Sequence, residues 1–324
     1  NKPELKRDAL KPGADPEKEY RKAIADQYAT LAMLGFKRSF DMDGIYIPLT
    51  VHLDPEAHFI RQVEETGEKL LSRSLKAEDL LKLTNKVAVV LGEPGMGKTT
   101  MLHYLARRES KNPNGMLPIF IKLADFCKAR QPLELFLLGS VANYITGDAM
   151  QNLAKTTMQN GRALILLDGL DEVNREEYNA VTERIRAFIA SHRNCRVIIT
   201  SRKAGFQSYE VPYRIFEIDK LPLAEIETFV NKWFDKKTAL AARIEENDRI
   251  HELAQNPFLL SIICLIFEKD ESLPQRRVEL YQKSEVTLLT LFDEKKIPKV
   301  NLFTRQERAG VGRCGILLFL PGQR

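Results

Sequence analysis

An α/β fold with a doubly wound, mainly parallel sheet is the architecture this chain predicts, and three features of the sequence predict it. Five short apolar runs, at 87–91, 119–123, 163–167, 196–200 and 215–218, alternate with helix-patterned segments. That alternation is the mark of parallel strands joined by crossover helices. The first run, Val87-Ala88-Val89-Val90-Leu91, leads directly into the glycine-rich Gly92-Glu93-Pro94-Gly95-Met96-Gly97-Lys98-Thr99, and helical sequence follows over 100–108. After Leu221 the strand signals stop and only helical patterning continues.

Taken in order, residues 1–16 are polar, with Pro3, Pro12 and Pro16, and read as a loose lead-in. Tyr20, Ile24, Tyr28, Leu31 and Leu34 then recur at helical spacing over 17–34, and Gly35 is a plausible stop. Ile45, Ile47, Leu49, Val51 and Leu53 alternate with more polar neighbours, predicting a half-buried strand that Pro48 puts at an edge or at an interruption of pairing. Helical patterning returns over 56–84, with Leu70, Leu71, Leu75, Leu80, Leu81 and Leu83 as its apolar set. The continuously apolar Ala163-Leu164-Ile165-Leu166-Leu167 suits the buried centre of the sheet. Segments 224–234, 237–246, 248–254, 257–268 and 275–292 all read as helices.

The loop at 92–99 is a complete phosphate-binding motif in the strand–loop–helix context that such a motif requires. Glycines at 92, 95 and 97 are expected to permit left-handed backbone and close approach of an anion. Successive N–H groups, including that of Thr100, then meet the phosphates at a helix N-terminus. Lys98 would reach the β- and γ-phosphates, and the Thr99 hydroxyl would ligate Mg²⁺. The predicted ligand is therefore a nucleotide with its metal ion.

A second half of the site follows. Asp168 comes directly after the apolar strand 163–167, at the strand end where ligands of such sheets bind, and could hold Mg²⁺ through water opposite Thr99. Asp171 and Glu172 suit the orientation or deprotonation of an attacking water. They equally suit the first turn of the helix beginning near Asn174, and both roles are compatible. Arg202, just beyond the strand 196–200, offers a guanidinium for a γ-phosphate. Arg193, Arg196 and Lys203 are expected near phosphate or solvent. Asn256-Pro257 reads as a helix cap with proline in the first turn.

In this order, Gly92 to Thr100, Leu166-Leu167-Asp168-Gly169-Leu170-Asp171-Glu172, Ile199-Thr200-Ser201-Arg202 and Asn256-Pro257-Phe258-Leu259-Leu260, the chain resembles the NACHT family of signal-transducing (STAND-class) P-loop NTPases. That family includes the central module of NOD-like receptors and of bacterial defence proteins. The small Gly169 before the acid pair is the most distinctive mark, and the resemblance spans roughly residues 45–292. It implies ATP or ADP with Mg²⁺, and Pro257 against the adenine ring. It also implies self-association on activation, an attached effector and sensor outside this chain, a defence role that includes antiviral immunity, and a winged helix after the helical module. A winged-helix histidine commonly contacts ADP in relatives; this chain has no histidine after His251. The organisation expected is an N-terminal helical lead-in with an edge strand over 1–84, a P-loop NTPase core over 85–220, a helical module over 221–292, and the start of a winged helix over 293–324.

Composition sets the remaining bounds. The chain has 324 residues, 44% apolar and 29% charged, as in globular rather than disordered proteins. A net charge of +5, from 49 basic and 44 acidic residues, is weak support for nucleic acid, and no aromatic-interleaved basic patch stands out. Cys127, Cys195, Cys264 and Cys314 are scattered without metal or redox spacing, which fits a reducing cytoplasm. No apolar run is long enough for a membrane span and no signal peptide is evident. Both termini are expected to be cuts within a longer protein. Asn85-Lys86 and Asn231-Lys232 lack the aspartate of a guanine-reading motif, and the Leu-Ser-Gly-Gly signature of transporter ATPases is missing. The leading expectation is a slowly hydrolysing ATP switch. The alternatives are an AAA-type remodelling ATPase acting on protein or nucleic acid, and a nucleotide-holding scaffold without hydrolysis.

Overall fold

Packing of apolar strands against the phosphate-loop helix organises the chain, seen here in a computed structural model that describes residues 8–9, 14–32, 39–53, 74–84, 86–146, 148–207 and 213–270. The N-terminal elements are β1 (Asp8–Ala9), α1 (Pro16–Gln27), β2 (Thr30–Ala32), β3 (Ser39–Asp41), α2 (Met42–Ile45), β4 (Thr50–Leu53) and β5 (Leu75–Lys76). Next come β6 (Val87–Leu91), α3 (Lys98–Lys111), β7 (Leu117–Lys122), α4 (Leu123–Ala129), α5 (Leu133–Ala142), β8 (Ile145–Thr146) and α6 (Asp148–Gln159). The second half holds β9 (Ala163–Asp168), α7 (Arg175–Ser191), β10 (Arg196–Ser201) and β11 (Arg214–Ile218). Four helices close the described chain: α8 (Leu223–Phe234), α9 (Leu240–Glu245), α10 (Asp248–Ala254) and α11 (Pro257–Asp270).

Seven strands form one sheet in the order β5-β4-β11-β6-β10-β9-β7. Strands β11, β6, β10, β9 and β7 are parallel neighbours, while β4 and β5 add to one side in antiparallel fashion. The mainly parallel α/β architecture is thus the one the strand spacing predicts. Every residue of β6 and β9 is buried, as strands covered on both faces must be. On α3 the apolar face of Met101, Leu102, Leu105 and Ala106 is buried.

Three N-terminal expectations need correction. The alternating stretch 45–53 is not one strand: Ile45 ends α2, residues 46–49 belong to no strand, although the Leu49 carbonyl accepts from Ala77 N–H at 2.8 Å, and only Thr50–Leu53 joins the sheet. Tyr46, Ile47 and Leu49 are all buried, because the segment lies against α3, where Tyr46 stacks on Tyr104 at 3.9 Å between ring centroids. The helix read over 56–84 fails in its described part. Leu75–Lys76 is a strand and Ala77–Lys82 a 3-10 turn, with Leu80 fully buried; the rest, with Gly35, the segment 275–292 and residues 293–324, lies outside the described residues. The helix at 17–34 ends at Gln27, after which the chain turns so that Leu31 enters β2. Segment 237–246 contracts to α9, Leu240–Glu245.

Helix α1 is bound to the core by polar groups as well as by Tyr20 and Ile24. The Tyr20 hydroxyl donates to the Pro118 carbonyl at 2.8 Å. The Arg21 guanidinium donates to the carbonyls of Glu109 (2.8 Å), Asn112 (3.2 Å), Gly115 (2.7 Å) and Met116 (3.3 Å), which leave the C-terminus of α3. Glu17 balances its charge at 2.7 Å. Arg196, expected near phosphate or solvent, instead enters the base of the sheet and donates to the carbonyls of Leu80 (2.9 Å) and Leu83 (2.6 Å). Arg21→Ala removes the partner of four carbonyls at once and is expected to cost about 3 kcal/mol of stability, read as a lower urea midpoint with an unchanged m-value.

Candidate functional site

The phosphate loop leaves β6 at Leu91 and enters α3 at Lys98, with Met101 N–H closing the first turn on the Gly97 carbonyl at 2.8 Å. Gly95 (φ 81°) and Gly97 (φ 82°) are left-handed, as the motif requires. Gly92 is not left-handed. Its role is close packing, since a Cβ there would stand 3.2 Å from Ile218 Cδ1 on β11. Glu93, Pro94 and Met96 complete the turn, and Met96 N–H donates to the Glu93 carbonyl at 3.3 Å. Thr100 sits in the first turn of α3, whose leading N–H groups have no intrahelical acceptor. Lys98 folds across the loop and donates through Nζ to the carbonyls of Gly92 (2.6 Å) and Glu93 (3.1 Å). Burial lowers its pKa, opposed chiefly by Asp171.

Asp168 ends β9 and is buried between two hydroxyls. Thr99 Oγ1 donates to its Oδ2 at 2.9 Å and Thr200 Oγ1 to its Oδ1 at 2.7 Å. The Thr200 hydroxyl also accepts from Gly169 N–H at 3.1 Å, so one group supports both the acid and the left-handed turn after it. A hydroxyl and a carboxylate converging from α3 and β9 form the hard oxygen donor set that suits Mg²⁺. Thr99 and Asp168 therefore fit the metal ion that a bound nucleoside triphosphate brings. The strand-tip signal for Thr200 lay in the sequence, but its bridging role needed the sheet.

Asp171 and Glu172 lie in a single 3-10 turn, Leu170–Glu172, and face different surroundings. Asp171 is tied to the end of β10: it accepts from Arg202 N–H at 2.9 Å and pairs with Arg202 Nε at 2.9 Å. The acid and the arginine read as independent groups on the phosphates are thus joined to each other. A Cβ on Gly205 would stand 2.5 Å from Asp171 Cβ, which explains glycine there. Glu172 is exposed and accepts no side-chain hydrogen bond among the described residues. Its pKa is raised by desolvation and then by the charges of Asp168 and Asp171. Lys203 pairs with Glu217 at 2.8 Å, and Arg193 lies on the surface.

The helical module reaches the loop at the N-terminus of α11. Pro257 occupies the first position of α11, and Phe258 N–H donates to the Gly95 carbonyl at 3.2 Å. Asn256 caps α11 as its sequence context predicts, with Oδ1 accepting from Phe258 N–H at 3.0 Å. From the opposite side Leu49 approaches to 3.5 Å of where a Gly97 Cβ would be. Neither the approach of Leu49 nor a direct contact of Asn256 with the loop is readable from local pattern. Thr200→Val, which keeps the volume but removes the hydroxyl, is expected to weaken Mg²⁺-dependent nucleotide affinity about tenfold, measured by titration with and without chelator.

Among the described residues no single helix is long and apolar enough to cross a membrane. The model of the NACHT domain matches residues 86–237, just under half the chain. A search of curated proteins returns no match. Among solved structures, the chain is similar to a signal transduction ATPase with numerous domains and a tetratricopeptide repeat sensor from Pyrococcus horikoshii, at 18% identity and a TM-score of 0.42. The match covers 64% of this chain and 31% of that one, so the chain spans less than a third of that protein's length. AMPPCP-bound DnaA from Aquifex aeolicus is similar at 14% identity and a TM-score of 0.40, over 74% of this chain and 70% of that one. RuvB from Thermotoga maritima is similar at 14% identity and a TM-score of 0.34, over 62% and 61%. With its phosphate loop, the acid at the end of β9 and the family match over the sheet, residues 86–237 of this chain belong to the NACHT family of P-loop NTPases.

Proposed function

We propose that this chain binds ATP with Mg²⁺ between the sheet and the helical module, hydrolyses it slowly, and works as a switch. The observation that carries the reading is the set Lys98, Thr99, Asp168 and Glu172 at one end of the parallel sheet, with Thr99 and Asp168 joined at 2.9 Å. Lys98 leaves the loop carbonyls for the phosphates, a charge-assisted contact stronger than the one it gives up. Thr99 and Asp168 would hold the metal ion, which when bound would supply charge neutralisation at the phosphates. Glu172 accepts the proton of the attacking water. Burial and the nearby charges of Asp168 and Asp171 raise its pKa, which makes it a better base than an ordinary carboxylate. Arg202 exchanges its Asp171 partner for the γ-phosphate when ATP is present, so that pair is the resting position of the γ-phosphate sensor.

Different contacts in the two nucleotide states are what convert binding into a switch. The helix α11 N-terminus beside the loop, with Pro257 toward the base, gives the helical module a stake in the nucleotide. Self-association of the ATP form, control of an attached effector and sensor, a cytoplasmic location and a role in antiviral defence are the parts of this reading that rest on the resemblance to NACHT proteins.

Lys98→Ala is expected to lower ATP affinity about a hundredfold, measured by calorimetry; wild-type affinity would remove the site assignment. Glu172→Gln is expected to bind ATP normally and to hydrolyse it about a hundredfold more slowly in a phosphate-release assay. The base must be ionised to act, so wild-type hydrolysis falls as pH drops through the raised pKa of Glu172. That acidic limb lies above the ordinary carboxylate range and disappears in the Gln variant.

A further inference from the structure

Asn256 stands at the elbow between α10 and α11, where the two helices turn through 120°. The two ends of its amide have different partners. Oδ1 caps α11, accepting from Phe258 N–H at 3.0 Å and Leu259 N–H at 3.3 Å. Nδ2 crosses to the phosphate loop, donates to the Pro94 carbonyl at 3.0 Å and lies 3.6 Å from Met96 Sδ. Loop and elbow meet without spare room: a Cβ on Gly95 would stand 2.8 Å from Asn256 Oδ1 and 3.0 Å from Phe258 Cβ. On its other side the elbow is held to the segment between β11 and α8, where Leu221 N–H donates to the Gln255 carbonyl at 2.9 Å.

The peptide between Pro94 and Gly95 is trans and planar, so its C=O and N–H point in opposite directions. Holding the Pro94 carbonyl toward the elbow therefore aims the Gly95 N–H away from it, into the loop. Resting on the reading of this loop as a nucleotide site, we propose that Asn256 is a positioning residue that latches the phosphate-loop tip to the helical module. The elbow cannot swing away from the sheet without releasing the Pro94 carbonyl, and a loop with that carbonyl free loses the set of its next N–H. Nucleotide retention and module orientation thus meet at this side chain, beside the backbone bond from Phe258 N–H to the Gly95 carbonyl.

Asn256→Ser separates the latch from the cap, because a serine oxygen still caps a helix but offers no reach to Pro94. Release of a fluorescent ADP analogue, followed by stopped flow, is expected to be about fivefold faster, with the melting temperature within about 2 °C of wild type. Asn256→Ala, which loses both roles, is expected to release as fast and to melt lower. A wild-type release rate in Asn256→Ser overturns the latch; if that variant does not fold, Asn256→Asp, which also keeps a capping oxygen, makes the same comparison. Lys98→Ala serves as the control. Undiminished binding there would mean that the loop is not the nucleotide site. Lost binding there, with unchanged release in the Asn256 variants, overturns the latch alone.

Discussion

The parallel register of β6, β10 and β9 is the constraint on which the site depends. Ser201 pairs with Leu91 across β10 and β6, and Ile199 pairs with Leu167 across β10 and β9. These partners bring the ends of three strands level, so Gly92, Asp168 and Thr200 emerge together. A slip of one residue would turn Thr200 to the other face and remove a donor from a buried carboxylate. Hydrogen bonds to a charged group contribute about 1.5–3 kcal/mol each, so the hydroxyls of Thr99 and Thr200 offset much of the cost of burying Asp168. The apolar strands hold that register because both of their faces are covered.

Around this fixed end of the sheet the groups differ in how firmly they are held. Asp168 is held from two sides and Asp171 is clasped by Arg202, while Glu172 is exposed beside them with its pKa raised. Three acids within five positions thus have three environments: one buried and bonded, one ion-paired, one open to water. Separation of environments is what lets neighbouring carboxylates divide chemical roles. Lys98 rests on the carbonyls of its own loop, and Arg202 rests on Asp171.

The segment before residue 86 is outside the family match yet is integral to the fold. Arg21 gathers four carbonyls at the far end of α3, and Arg107 on α3 pairs with Asp43 at 2.9 Å and bonds the Ala25 carbonyl. The helix that begins with Lys98 and Thr99 is thereby anchored at its other end by the N-terminal segment, while α11 touches the loop at its start. The N-terminal segment and the helical module thus contact opposite ends of the loop–helix unit.

The phosphate loop, the parallel sheet and the described helices after Leu221 were legible in the sequence, because each depends on local pattern: glycine at fixed spacing, continuous apolar runs, and periodic apolar faces. Pattern failed where burial on two sides imitates alternation, as at 46–49, and where leucines at helical spacing belong to a short strand and a 3-10 turn, as at 75–82. It also failed for Arg196, whose type suggests phosphate but whose position at the start of β10 puts it at the opposite end of the strand from Thr200. By itself the sequence determined which residues stand in the phosphate loop and at the end of β9: Lys98, Thr99, Asp168 and the acid pair. Only the tertiary structure decided their partners, setting Thr200 on Asp168, Arg202 on Asp171 and Asn256 on Pro94, because those contacts join residues 31 to 162 positions apart that meet only once strand register and the α10–α11 elbow have formed.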